Sequence, residues 1–191
     1  NPDPNETVLN FVRSNLKKTG TKEGCAEGGC GACTIVLGEL KNNKILYKSI
    51  NSCITFVPVL NGKQLILIEN LTSENGKLHS VQNAMVDYHG SQCGFCTPGF
   101  VMSMFAMFKN NKSINNELIN DSLSGNLCRC TGYRPIIDAA KSLDNLSRYD
   151  HFDKDKFTTK ERVFVNLKYD ELVYYKPDDM DEKTFIRKCL I

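Results

Sequence analysis

Eight cysteines fall into a few short spacings that suit metal chemistry. Cys25, Cys30 and Cys33 follow a C-x4-C-x2-C pattern inside the glycine-rich run "GTKEGCAEGGCGAC", and Cys53 comes later in the chain. Thiolates in that order hold a [2Fe–2S] cluster whose fourth ligand is distant from the first three. The glycines at 24, 28, 29 and 31 let the backbone pass close to such a cluster and aim N–H groups at its sulfurs. A zinc loop is the competing use, but zinc favours two cysteine pairs over a triplet in a glycine coil.

Two further pairs follow: Cys93 and Cys96 in "QCGFCTPG", and Cys128 and Cys130 in "GNLCRCTGYRP". A disulfide between Cys128 and Cys130 would close a strained ring. Alternate residues of an extended segment share a face, so both thiols can turn to one centre. There they serve a single iron, or one iron each, opposite Cys93 and Cys96. On spacing alone, four cysteines in two pairs suit zinc as well as iron–sulfur. Their placement favours iron–sulfur, because each pair precedes an expected helix start, at Pro98 and Pro135. Helix starts carry unpaired N–H donors and partial positive charge, which favour a cluster that becomes more negative on reduction. Arg129 and Arg134 add positive charge there. Cys189, the ninth cysteine, reads as a lone thiol.

Other chemistry finds no support. His79, His89 and His151 lack the paired spacing with cysteine of a Rieske centre and read as solvated or locally hydrogen-bonded. No glycine-rich phosphate loop, Ser-His-Asp set or carboxylate pair stands out. With 24 basic and 22 acidic side chains the net charge is +2, so no field draws in nucleic acid or an anionic membrane. No apolar run is long enough to span a bilayer. The odd cysteine count, without an export signal, argues for a reducing compartment, the cytoplasm. These residue types point to electron transfer, not bond-making.

The elements that must position these thiols are legible as an α+β pattern. A helix is expected over 5–18, capped by Asn5, with Val8, Leu9, Val12 and Leu16 on one face. Strands over 34–40, 44–50 and 63–69 suggest a small mixed sheet. Four helices follow within 77–146. The first is capped by Ser80 and stopped at Gly90, and the second is capped by Thr97 with Pro98 in its first turn. "NNELINDSL" and "RPIIDAAKSL" supply the other two, and Phe100, Met104 and Phe108 read as bundle core. Residues 147–162 read as a polar linker, and 163–191 as the start of an incomplete domain with too little core to stand alone.

The segments "GTKEGCAEGGCGACT", "NSCI", "HGSQCGFCTPGFVMS" and "GNLCRCTGYRPI" resemble the iron–sulfur segment of the molybdenum hydroxylases, in order from Asn1 to Leu146. That family includes xanthine dehydrogenases, aldehyde oxidases and carbon monoxide dehydrogenase small subunits. The third segment is most similar to xanthine dehydrogenases, in particular a bacterial small subunit that joins iron–sulfur and flavin domains. The resemblance implies a plant-type ferredoxin-like β-grasp [2Fe–2S] domain at 1–72 and a four-helix-bundle [2Fe–2S] domain at 77–146. It assigns Cys25, Cys30, Cys33 and Cys53 to the first cluster and Cys93, Cys96, Cys128 and Cys130 to the second. Gln92 and Cys130 match residues that contact the pterin.

It further implies that electrons pass from a molybdopterin centre through both clusters to FAD, with NAD+ the usual final acceptor. The implied partners are a molybdopterin-binding subunit or domain and an FAD-binding domain, in a hetero-oligomer without nucleic acid or membrane. "YYKPDDMDE" resembles the entry to a flavin domain, although the family's phosphate-binding glycines are not in this tail. An N-terminal hairpin is expected ahead of Asn1 in the full polypeptide. The competing expectations are the small subunit of an aldehyde- or N-heterocycle-oxidising relative, and a zinc-stabilised interaction module.

Overall fold

The computed structural model describes residues 3–41, 44–73 and 75–147. The expected incomplete domain at 163–191, His151, Cys189 and all of the expected linker except Ser147 lie outside the described residues.

The first part is built on β1 (Thr34–Lys41), whose leading residues are buried on both faces. It is therefore the central strand, with β2 (Lys44–Asn51) on one side and β3 (Gln64–Ile66) on the other. Both ladders are antiparallel, pairing Thr34 with Asn51 and Val36 with Ile66, so the sheet is not mixed. The short connection from β1 to β2 permits only a hairpin; a parallel neighbour needs a long crossover. The third strand is shorter than expected because Asn70 Oδ1 accepts the Leu67 amide at 2.8 Å and draws the chain into a 3-10 turn.

On one face of the sheet lies α1 (Val8–Asn10), continued by a wide π-helical turn over Phe11–Asn15. Its cap is Thr7, not Asn5: Thr7 Oγ1 accepts from the Asn10 amide at 3.3 Å. The helix stops before Lys18, with Lys17 in the left-handed region at φ 55° and Leu16 exposed. Val8, Phe11 and Val12 pack on Ile35, Leu37, Val57, Leu60 and Leu67.

The other face carries four helices: α2 (Ser80–Asp87), α3 (Thr97–Asn110), α4 (Asn116–Leu123) and α5 (Arg134–Ser142). A continuous core runs from Val36, Tyr47 and Ile66 of the sheet into these helices. Phe100, Met104 and Phe108 lie buried along α3, as their spacing predicts. The cap of α2 is His79, not Ser80. His79 Nδ1 accepts the Val81 amide at 3.2 Å, and Gln82 Oε1 accepts the His79 amide at 2.9 Å. His79 is buried, edge-to-face with Phe105 and Phe108 at 5.2 and 5.8 Å, so of the two expected states it takes the locally hydrogen-bonded one. The expected turn at Gly90 is made by its amide donating to the Met85 carbonyl at 2.8 Å. The cap position of α3 is Cys96, one residue before the expected Thr97, with Pro98 in the first turn.

Candidate metal centres

The loop carrying Cys25, Cys30 and Cys33 is held at both ends. Arg13 Nη1 donates to the carbonyls of Thr19 and Thr21 at 3.1 and 2.6 Å, and the Gly20 amide donates to Glu69 Oε1 at 2.9 Å. Asn51 Nδ2 reaches the Gly28 carbonyl at 2.7 Å, and Ser52 Oγ reaches the Cys33 carbonyl at 2.7 Å. Register explains how Cys33 meets the distant Cys53. Thr34 pairs with Asn51, so Cys33 just before β1 and Cys53 just after β2 emerge together. Both are buried and pack with Leu9.

Cys30 contributes to lowering the Cys25 thiol, and Cys33 to raising the Cys53 thiol. The Glu27 and Gly29 amides point at Cys25 Sγ, at 3.5 and 3.3 Å. These donors, led by Glu27, lower the Cys25 thiol to about 7, whereas burial and the neighbouring Cys33 push Cys53 up to about 11. Gly24 is needed for close approach, since a Cβ there would sit 2.8 Å from Cys30 Sγ.

The second group forms where the start of α3 meets the segment between α4 and α5. Cys93 is exposed, Cys96 half-buried, Cys128 buried and Cys130 exposed. Among the thiols, Cys130 acts most on Cys93 and Cys128 most on Cys96. The Phe95 amide and then Cys130 hold the Cys93 thiol below its ordinary range, and Cys93 in turn raises Cys130. Burial, followed by Cys128, pushes Cys96 up to about 12. At Cys128 burial works upward, but the Thr131 hydroxyl and amide outweigh it and bring the thiol to about 7. Thr131 Oγ1 lies 3.2 Å from Cys128 Sγ, and the Cys128 amide donates to the Tyr133 hydroxyl at 3.0 Å.

The helix-start argument holds for Cys96, which adjoins α3, but residues 131–133 separate Cys130 from α5. Arg134 pairs with Asp138, Nε to Oδ2 at 3.3 Å. Gln92 is exposed beside Cys93. Thr131 and Tyr133 were not singled out by spacing; a hydroxyl residue three positions after Cys128 was the available signal.

Chemically, each group is four thiols with nearby N–H donors, which fits a centre of two irons taking two thiolates each. Among the described residues no three or more His, Cys, Asp or Glu side chains gather as a single-ion site. The two groups also adjoin, because the Leu127 amide donates to the Cys30 carbonyl at 2.9 Å.

Residues 1–58 match the family of 2Fe-2S iron-sulfur cluster binding domains, and 67–141 match the [2Fe-2S] binding domain family. Xanthine dehydrogenase of Blastobotrys adeninivorans is 50% identical over 145 residues, 74% of this chain and 10% of that protein. Aldehyde oxidase 1 of Oryctolagus cuniculus is 45% identical over 142 residues, 73% of this chain and 11% of that protein. The chain thus spans about a tenth of the length of these curated relatives. Among solved structures, a chain of quinoline 2-oxidoreductase from Pseudomonas putida 86 superposes with TM-score 0.65 at 34% identity, over 73% of this chain and 81% of that one. The two cluster-domain matches and these relatives converge: the chain belongs to the xanthine dehydrogenase and aldehyde oxidase family of molybdenum hydroxylases, as its electron-transfer iron–sulfur segment with two [2Fe–2S]-binding domains.

Proposed function

We propose that this chain is the electron-transfer module of a xanthine dehydrogenase-type enzyme, carrying electrons from a molybdopterin centre towards FAD on partner domains or subunits. In this reading residues 1–72 hold one [2Fe–2S] cluster through Cys25, Cys30, Cys33 and Cys53. The four-helix bundle at 77–146 holds the other through Cys93, Cys96, Cys128 and Cys130. The clusters supply one-electron redox chemistry. The protein's part is to hold the thiols in two groups, to direct the Glu27 and Gly29 amides at Cys25, and to support Cys128 with Thr131. Gln92 and Cys130, both exposed, form the edge offered to the pterin.

The observation that carries the reading is the 2.9 Å bond from the Leu127 amide to the Cys30 carbonyl. It joins the residue before Cys128 to a candidate ligand of the other site, a covalent and hydrogen-bonded route between the two. The enzyme is read as xanthine dehydrogenase-type because a 50% identical relative is a xanthine dehydrogenase. Membership of an N-heterocycle-oxidising enzyme is the second reading, favoured by the 81% coverage of the quinoline 2-oxidoreductase chain. No helix among the described residues is long and apolar enough to cross a membrane. The cysteine usage supports a cytoplasmic location, and partner domains or subunits carrying molybdopterin and FAD are part of the proposal. Paramagnetic resonance of the dithionite-reduced chain tests the proposal: two distinct signals support it, and a colourless, silent, zinc-containing protein contradicts it.

A further inference from the structure

Asn126 is a buried asparagine whose side chain joins three separate segments. Its Oδ1 accepts from Ser103 Oγ on α3 at 2.7 Å. Its Nδ2 donates to the Gly31 carbonyl at 3.1 Å and to Thr34 Oγ1 at 3.2 Å. Thr34 Oγ1 gives its own proton to the Gly31 carbonyl at 2.7 Å, so it is free to accept from Nδ2. A carbonyl only accepts, so the amide can face Gly31 in one orientation alone. Gly31 lies between Cys30 and Cys33, and Asn126 lies two residues before Cys128.

The junction is closed down to backbone. A Cβ at Gly31 would strike the Gly125 carbonyl and Asn126, and one at Gly99 would strike the Gly31 carbonyl. The amides that follow are each held by a different segment. Asn126 donates to the Leu123 carbonyl at 2.9 Å and Leu127 to the Cys30 carbonyl at 2.9 Å. Cys128 donates to the Tyr133 hydroxyl at 3.0 Å.

We infer that Asn126 is a positioning residue for electron transfer between the two cluster sites. Its carboxamide clamps the Cys30–Cys33 loop to the Cys128 arm and thereby keeps the Leu127 N–H on the Cys30 carbonyl. This rests on the reading of the two thiol groups as cluster sites. One electron passes between the sites, no bond is made or broken, and Asn126 exchanges no proton. Its loss leaves the Ser103 hydroxyl without its acceptor in a buried place, which favours local opening of the arm.

The test compares the cluster-loaded full chain with Asn126→Ala, Asn126→Asp and Ser103→Ala. Aspartate keeps the shape of asparagine but, when ionised, cannot donate to Gly31. Hydrogen exchange of the 125–128 amides is expected to quicken about tenfold in both Asn126 variants and less in Ser103→Ala. The magnetic coupling between the two reduced clusters shifts in parallel, while iron content and the midpoint potential of each cluster stay at wild-type values. Wild-type exchange and coupling in Asn126→Asp overturn the clamp, leaving only space-filling. Exchange that quickens uniformly along the chain, with iron lost, also overturns it in favour of general stability. If Asn126→Ala does not fold, Ser103→Ala decides by the same two readouts. A wild-type chain without iron sinks the cluster reading itself, whereas iron-loaded variants with unmoved coupling sink this inference alone.

Discussion

The amide of Leu127 and the carbonyl of Cys30 meet at 2.9 Å, across 97 positions of sequence. Through that contact the glycine coil of the sheet half and the C-x-C arm of the helical half touch backbone to backbone. The largest core supports the same arrangement, since Val36, Tyr47 and Ile66 of the sheet pack into the helices. The two thiol groups therefore sit on one scaffold, although their ligands come from different stretches of chain.

Replacement of Cys30 by serine is expected to remove one cluster and spare the other. Cys30 acts on Cys25, whereas Cys93, Cys96, Cys128 and Cys130 act on one another. Paramagnetic resonance of the reduced variant is expected to keep one of two signals. Loss of both signals at once would show that the sites assemble as a single unit.

Gly99→Ala is expected to destabilise the fold by about 1–3 kcal/mol, the range for overpacking a closed site. The added methyl meets the Gly31 carbonyl, a backbone atom that cannot rotate away. Denaturant unfolding of the variant measures this, and an unchanged midpoint would mean the two halves can part at no cost.

Phe105→Ala is expected to cost about 3–5 kcal/mol, the usual figure for a large aromatic truncated in a core. Phe105 is fully buried and meets the rings of Tyr47 and His79 edge-on at 5.5 and 5.2 Å. It therefore links β2, α3 and the cap of α2. A loss below about 1 kcal/mol in chemical unfolding would show that the site collapses around the missing ring.

In the assembled enzyme, Gln92→Ala is expected to slow reduction of the clusters by substrate and to leave reduction from the flavin side near normal. The pterin hydrogen bond proposed for Gln92 is worth about 1 kcal/mol if neutral. Both clusters still assemble, because Gln92 is not a thiol. Rapid-mixing measurements in the two directions separate the cases, and slowing confined to the flavin side reverses the proposed electron path.

Local features of the fold were the readable ones. The three cysteine spacings, the apolar stripe of Phe100, Met104 and Phe108, and the prolines at helix starts all act within a few residues. Caps were misplaced by a residue or two. Thr7 is used where Asn5 was expected, and α2 takes its cap from the ring nitrogen of His79, an unusual acceptor for that position. The end of β3 depended on one side chain, Asn70, competing with the ladder for the Leu67 amide. How the segment carrying Cys128 meets the start of α3 is set by tertiary packing, which spacing does not encode. Asn126 was invisible for the same reason, since its acceptors Gly31 and Thr34 lie 95 and 92 positions upstream.

Iron and acid-labile sulfide analysis of the anaerobically purified chain tests the central claim most directly. The eight described cysteines are free, the number that the two proposed [2Fe–2S] centres need. The account predicts about four irons and about four sulfides per chain, unchanged in Cys189→Ser. About two irons per chain, or zinc in place of iron, would contradict it.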